Sequence, residues 1–203
     1  MKTIFNFLST ILITIFLYTP TNAKTVLDIT ENDFVIGDLN APVTMIEYAS
    51  LSCGHCADFH NNKLGDLKTE YVDTGKMKVV FRDFPFNYPA LLGSMVLQCI
   101  PSDVRYDYMN ALFKLQPDWV NRDNAKTMQE LFKIMQSGGM TKEEFDNCIA
   151  DRDAEERLLQ GVMDAQNEYN IRSTPSFLIN GILIEGSKST KEFRQIIDKI
   201  LSE

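Results

Sequence analysis

The sequence predicts an α/β domain carrying a helical insertion, and three observations predict it. Residues 43–49 and 77–82 read as strands with one helix between them, a unit that favours a parallel pair and a right-handed crossover. A run of amphipathic helical stripes then fills the chain to about residue 169. After it come a hairpin and one last helix. Strands at both ends of a helical block exclude an all-helical bundle.

The first segment is not part of that domain. Lys2 gives a positive start, residues 4–18 are mostly apolar, and Thr21, Asn22 and Ala23 are small residues before a cut. Residues 1–23 are therefore expected to be a secretory signal peptide cleaved after Ala23. An uncleaved anchor shares the first two features, but the apolar run is short for a span and Asn6, Ser9, Thr10 and Thr14 interrupt it. The remaining 24–203 fit one domain. Its core is expected at about 40–84 and 152–203, with the helical insertion at about 86–150. A net charge of −8 argues against nucleic acid and against anionic lipid as partners.

Residues 43–49 are rich in strand formers and follow the loop signal Asn40, Ala41, Pro42. A helix is expected from about Cys53, because Cys56, His60, Leu64, Leu67 and Tyr71 recur at three and four; Gly75 stops it. Met77, Val79 and Phe81 alternate as the second strand. Leu91, Leu92, Met95, Val96 and Cys99 form the next stripe, ended by Pro101. Val104, Tyr108, Leu112 and Leu115 form another. Ala125, Met128, Leu131, Phe132 and Met135 form a third, closed by Gly138 and Gly139. Thr141 and Glu144 make a capping-box pattern before Phe145, Cys148 and Ile149. Ala154, Leu158, Val162, Ala165 and Tyr169 mark a longer helix. Residues 176–180 and 182–185 flank Gly181 as a tight hairpin. Ser189 and Glu192 cap a final helix carrying Phe193, Ile196, Ile197, Ile200 and Leu201.

The chemistry concentrates at residues 47–60. Cys53 is expected where a strand hands over to a helix. There the first backbone N–H groups have no partner and the helix dipole is positive, so a thiolate is favoured. Cys56 lies one turn on, near enough to close an easily exchanged disulfide. His55 adds a donor and, when protonated, a positive charge. Each effect stabilises the reduced pair and so makes its disulfide more oxidising. A C-x-x-C pair is also often half of a zinc site, and Cys53, Cys56 and His60 could share a helix face with His55 nearby. The chain has no second such pair and no third histidine, so no metal and no cofactor is expected. Haem attachment needs His after the second cysteine, where Ala57 stands. Glu47, in a strand expected to be buried, is either a proton acceptor for Cys56 or an edge-facing, water-bridged acid; a buried carboxylate without a partner is costly. Pro175 after Thr174 opens the hairpin's first strand, which alone says little.

Taken together, Ile46, Glu47 and Tyr48, then Cys53, Gly54, His55 and Cys56 with Phe59, then Thr174, Pro175, Ser176 and Phe177, and Ile179, Asn180 and Gly181, resemble the bacterial disulfide-bond-forming proteins of the thioredoxin fold, the DsbA-like family. The resemblance covers nearly all of residues 24–203. It implies a thioredoxin fold with its helical insertion between the second core strand and the cis-proline strand. It also implies a protein thiol–disulfide oxidoreductase, most simply an oxidase. Cys53 is then the exposed nucleophile, Cys56 the resolving cysteine, and His55 a tuner of the potential. Pro175 is cis, with Thr174 offering its backbone to a bound peptide. Unfolded or reduced exported proteins are the implied substrates, a membrane quinone-linked partner the reoxidant, and the periplasm the location. Three positions depart from the best-known oxidases: Gly54 replaces a proline, Thr174 is a residue also seen in bacterial isomerases, and Val79 stands where some members carry a buried lysine paired to the acid. An isomerase or reductase is therefore the rival reading, and a non-catalytic chaperone or metal-binding protein a more distant one. The isomerases carry an extra N-terminal dimerisation region; only about twenty residues separate the expected signal from the first core strand, so a monomer is expected.

Cys99 and Cys148 fall on apolar stripes of two separate helices. They are either buried free thiols or a structural disulfide. An exported chain meets an oxidising milieu, so the disulfide is expected.

Overall fold

The computed structural model describes residues 28–30 and 33–203; the expected signal peptide at 1–23 lies outside them. Five strands form one sheet: β1 (Phe34–Ile36), β2 (Val43–Ala49), β3 (Met77–Asp83), β4 (Ser176–Ile179) and β5 (Ile182–Glu185). The order is β1-β3-β2-β4-β5. β2 runs parallel to β3 and antiparallel to β4, so it is the central strand. β1 has no counterpart in the sequence reading, because three residues are too few to show a period. It pairs with β3. Arg82 holds the chain just before it, with Nε and an Nη each 2.8 Å from the Asp33 carboxylate.

Alternation along β2 and β3 sorts the two faces. Val43, Met45, Met77, Val79 and Phe81 join the core that contains α1 (Gly54–Asn62) and α9 (Thr190–Ser202). Ile46, Tyr48, Val80 and Leu178 face the opposite way, with Ala165 of α8 (Arg152–Tyr169). The parity matters for the site: Glu47 falls on the α1 side.

The stripe from Cys56 to Tyr71 is buried at Cys56, His60, Leu64, Leu67 and Tyr71, but not as one helix. α1 ends at Lys63 (φ −132°), and α2 (Leu64–Leu67) leads into a π turn over Lys68–Val72. Spacings of mostly four drift around a 3.6-residue helix. The break and the wider turn return Tyr71 to the core.

The helical block follows β3: α3 (Tyr88–Cys99), α4 (Arg105–Lys114), α5 (Gln116–Trp119), α6 (Asn124–Ser137) and α7 (Lys142–Ala150). Asn87 caps α3, with Pro89 in its first turn. Both expected capping boxes, Thr141–Glu144 and Ser189–Glu192, are formed. The α4 stripe differs from the expected one. Met109, Leu112 and Phe113 are buried while Val104 is exposed, because α4 turns toward α1. A disulfide joins Cys99 at the end of α3 to Cys148 of α7, with Cα atoms 6.1 Å apart. The β4–β5 turn uses positive φ at Asn180 (45°) and Gly181 (86°), the geometry a two-residue hairpin requires. Among the described residues no helix is long and apolar enough to cross a membrane.

Candidate active site

β2 ends at Ala49, and a turn with Cys53 N–H donating to Ser50 O (3.0 Å) delivers Cys53 to the start of α1. Cys53 is the N-cap residue, with extended backbone (φ −86°, ψ 118°). Its carbonyl accepts the first helical bond, from Ala57 N–H. Its sulfur therefore sits at the helix end where N–H groups lack partners. The Cys53 thiol is lowered from its ordinary 9.0 to about 5. The largest cause is a hydrogen bond from the Cys56 thiol. Burial opposes it, and the Thr174 side chain and the backbone N–H groups of Cys56 and His55 add to it. Cys56, fully buried, is pushed the other way, by burial first, then by Cys53 and the Glu47 charge. One cysteine is thus half-buried and acidic, the other buried and held as a thiol. His55 is exposed, and the contribution it makes to Cys53 in this geometry is through its backbone N–H.

The hairpin brings the second motif to the same place. Tyr48 pairs with Ser176 in the β2–β4 ladder, so the residues before β4 lie beside the end of β2. The Thr174–Pro175 bond is cis. Thr174 O is 3.4 Å from Cys53 Sγ across 121 positions of sequence.

Beneath the pair lies Glu47, fully buried on the α1 face of the sheet. Its Oε2 is 3.1 Å from His60 Nε2. Sequence reasoning placed His60 only as a candidate metal ligand. The structure turns its Nε2 to Glu47, and among the described residues no group of three or more His, Cys, Asp or Glu side chains is gathered as a metal site. Val79 is buried on the same face. Neighbouring Lys78 reaches Ala41 O instead (2.7 Å), so the side chain that pairs with Glu47 is His60 and not a lysine.

Gln116 is a residue the sequence did not single out. Its Nε2 donates to Leu51 O (2.8 Å) and Cys53 O (3.1 Å), tying the insertion to the cysteine turn. Trp119, fully buried, anchors that short helix with Nε1–H on Leu112 O. On the other side, Ser52 Oγ–H donates to Asn87 Oδ1 (2.9 Å), which sets the β3–α3 loop beside the cysteines with Phe86 and Tyr88 exposed. The Cys99–Cys148 bridge shares no residue with this site.

Comparison with known proteins agrees with the geometry. The family model described as thioredoxin matches residues 29–199. A Rickettsia bellii protein, provisionally named a protein-disulfide oxidoreductase, is 30% identical over 182 residues, covering 89% of this chain and 69% of the relative. The chain spans 64% of the Rickettsia felis relative of the same name. The crystal structure of Wolbachia pipientis alpha-DsbA1 matches with TM-score 0.81 and 31% identity, over 87% of this chain and 94% of that one. That of oxidised BdbD from Bacillus subtilis shares the fold at TM-score 0.75 and 21% identity, over 85% and 94%. With the family model spanning most of its length and a DsbA its structural counterpart at 31% identity, this chain belongs to the thioredoxin family, in the DsbA-like branch.

Proposed function

We propose that the chain is a protein thiol–disulfide oxidoreductase that introduces disulfide bonds into exported proteins. The observation that carries this is the asymmetry of the pair: Cys53 is half-buried with its thiol near 5, while Cys56 is buried and stays protonated. A stabilised Cys53 thiolate favours the dithiol form, and what favours the dithiol makes the disulfide a stronger oxidant. A substrate thiolate attacks Cys53 Sγ of the disulfide, and Cys56 leaves. The substrate's second thiolate then attacks its own mixed disulfide and releases Cys53 as thiolate. Thr174, beside Cys53, offers its backbone to the substrate strand next to Pro175, and His55 tunes the potential. Glu47 is the proton acceptor for Cys56. Exposed Phe86 and Tyr88 give unfolded chains an apolar surface beside the reacting sulfur.

The location proposed is the periplasm. Residues 1–23 serve as the cleaved signal, and 24–203 form one thioredoxin-like domain with its insertion at about 86–150. The signal-like sequence supports export, and so does a disulfide outside the redox pair, since such bonds persist in oxidising compartments. The protein acts as a monomer, and a quinone-linked membrane protein reoxidises it. Gly54 between the cysteines and Thr174 before the proline favour the second reading, an isomerase.

The deciding measurement is the Cys53–Cys56 reduction potential against glutathione. It is expected above about −200 mV, on the oxidising side of glutaredoxins; a value near about −270 mV, where thioredoxin lies, makes the chain a reductase. Cys56→Ser should accumulate mixed disulfides with substrates through Cys53. Trapping through Cys56 in a Cys53→Ser variant instead overturns the assignment of roles.

A further inference from the structure

Thiol–disulfide exchange moves a proton as well as a sulfur. When the Cys53–Cys56 bond opens, Cys56 Sγ leaves as a thiolate and must gain a proton; when the bond closes it must lose one. Cys56 is fully buried, so the proton comes from a buried group and returns to one. Glu47 lies below it in the centre of β2, paired with Phe81 and Phe177 on the neighbouring strands. Its charge is felt at Cys56.

The geometry around Glu47 includes a second ionisable group. His60 follows Cys56 by one turn of α1, so the two side chains share a helix face. His60 Nε2 is 3.1 Å from Glu47 Oε2, with the side chains 1% and 0% exposed. The imidazole is fixed on three sides: Phe113 of α4 stacks at 4.0 Å and 24°, Phe81 lies at 5.6 Å, and the Phe59 ring stands edge-on at 5.8 Å. Tyr106 of α4 is a further titratable side chain that senses Glu47. Glu47 Oε1 and His60 Nδ1 have no hydrogen-bond partner among the described residues. A carboxylate alone in such a place carries a large desolvation cost, and a histidine N–H directed at one oxygen offsets part of it.

We propose that His60 is a positioning residue for the proton of Cys56: it holds Glu47 by Oε2 and leaves Oε1 as the atom that exchanges the proton with Cys56 Sγ. This rests on the exchange reaction through Cys53 and Cys56 proposed above. In the opening step a substrate thiolate forms a bond to Cys53 Sγ, and the Cys53–Cys56 bond breaks with its electron pair on Cys56. Cys56 takes the proton from Glu47 Oε1–H through one bridging water, since no direct hydrogen bond joins the two groups. The negative charge that entered with the substrate ends on the Glu47 carboxylate, where His60 Nε2–H donates to it. Closing is the reverse: Cys56 S–H returns its proton to Glu47, the thiolate attacks Cys53 Sγ, and the partner leaves as thiolate. The water that carries the proton is regenerated in each direction, so no other reactant is needed.

The test separates Cys56 from Cys53 in the purified protein. Closure is followed as release of glutathione from a Cys53–glutathione mixed disulfide, and Cys53 itself by alkylation with iodoacetamide. His60→Phe, which keeps the aromatic packing and removes the N–H, should slow closure at least tenfold while changing Cys53 alkylation less than twofold. His60→Leu gives the same reading if phenylalanine overpacks the site. His60→Gln, which restores an N–H donor, should recover most of the rate. In a Glu47→Gln background the His60→Phe change should alter closure less than twofold. If closure and alkylation fall together, or the loss is undiminished without the Glu47 carboxylate, His60 only packs and the proposal is wrong. If the unaltered protein neither alkylates selectively at Cys53 nor closes, the exchange reading itself falls.

Discussion

At Cys53 the local structure predicts a pH signature. Its thiol drops from 9.0 to about 5 on folding of the reduced chain. A depressed acid stabilises the fold above its unfolded value and loses that contribution as pH falls through the folded value. The reduced form should therefore gain stability relative to the oxidised form from about pH 5 up to about pH 9. Cys56, shifted upward, adds nothing across that window because it stays a thiol in both states. The size of the gain is moderated by Cys53's half-exposure to solvent. Alkylation rate against pH should show a single midpoint near 5, all of it at Cys53 by mass spectrometry. A midpoint near 9 would remove the argument for an oxidising disulfide.

Among the elements, α5 has an influence out of proportion to its four residues. Gln116 satisfies two carbonyls of the cysteine turn, those of Leu51 and Cys53, from a nearly buried position. Gln116→Met keeps the length of the side chain and removes both donors. Buried Leu51 O then loses its partner, which costs about 1–3 kcal/mol by denaturant titration, while Cys53 O keeps the bond from Ala57 N–H. The loosened turn should also raise the pH midpoint of Cys53 alkylation, since its backbone N–H groups are aimed by that turn. A loss of stability with the midpoint unmoved would reduce Gln116 to a packing role. Nothing in its local sequence marks Gln116; its importance comes from α4 and α5 folding back onto α1, a contact 63 to 65 residues away in sequence.

For the whole molecule, the Cys99–Cys148 disulfide closes a loop of 49 residues within the helical block. In the chain-entropy model such a loop contributes on the order of 4 kcal/mol. Replacing both cysteines by alanine should lower the unfolding free energy by up to about that amount. It should leave the Cys53–Cys56 potential unchanged, because the bridge shares no residue with the site. A shift of about 30 mV or more, a tenfold change in the exchange equilibrium, would show that the block transmits strain to the cysteines.

The sequence by itself determined the order of the main elements from β2 onward, the cysteine pair at a strand-to-helix junction, both capping boxes and the Asn180–Gly181 hairpin, but not the short β1 and α5. These are local signals: the residues that carry them are neighbours in the chain, and their spacing alone sets their geometry. It also held the parts of the buried pair, Glu47 in a buried strand and His60 on the helix face of Cys56. Joining them needs strand parity and helix phase at once, 13 residues apart, and the sequence left His60 as a possible metal ligand. Tertiary structure alone decided that Glu47 faces α1, that His60 rather than a lysine meets it, that Gln116 clamps the cysteine turn, and that Thr174 stands 3.4 Å from Cys53. Each of these contacts joins separate elements. Their distances depend on how the sheet twists and how the helices pack on it, and no spacing within one element encodes that.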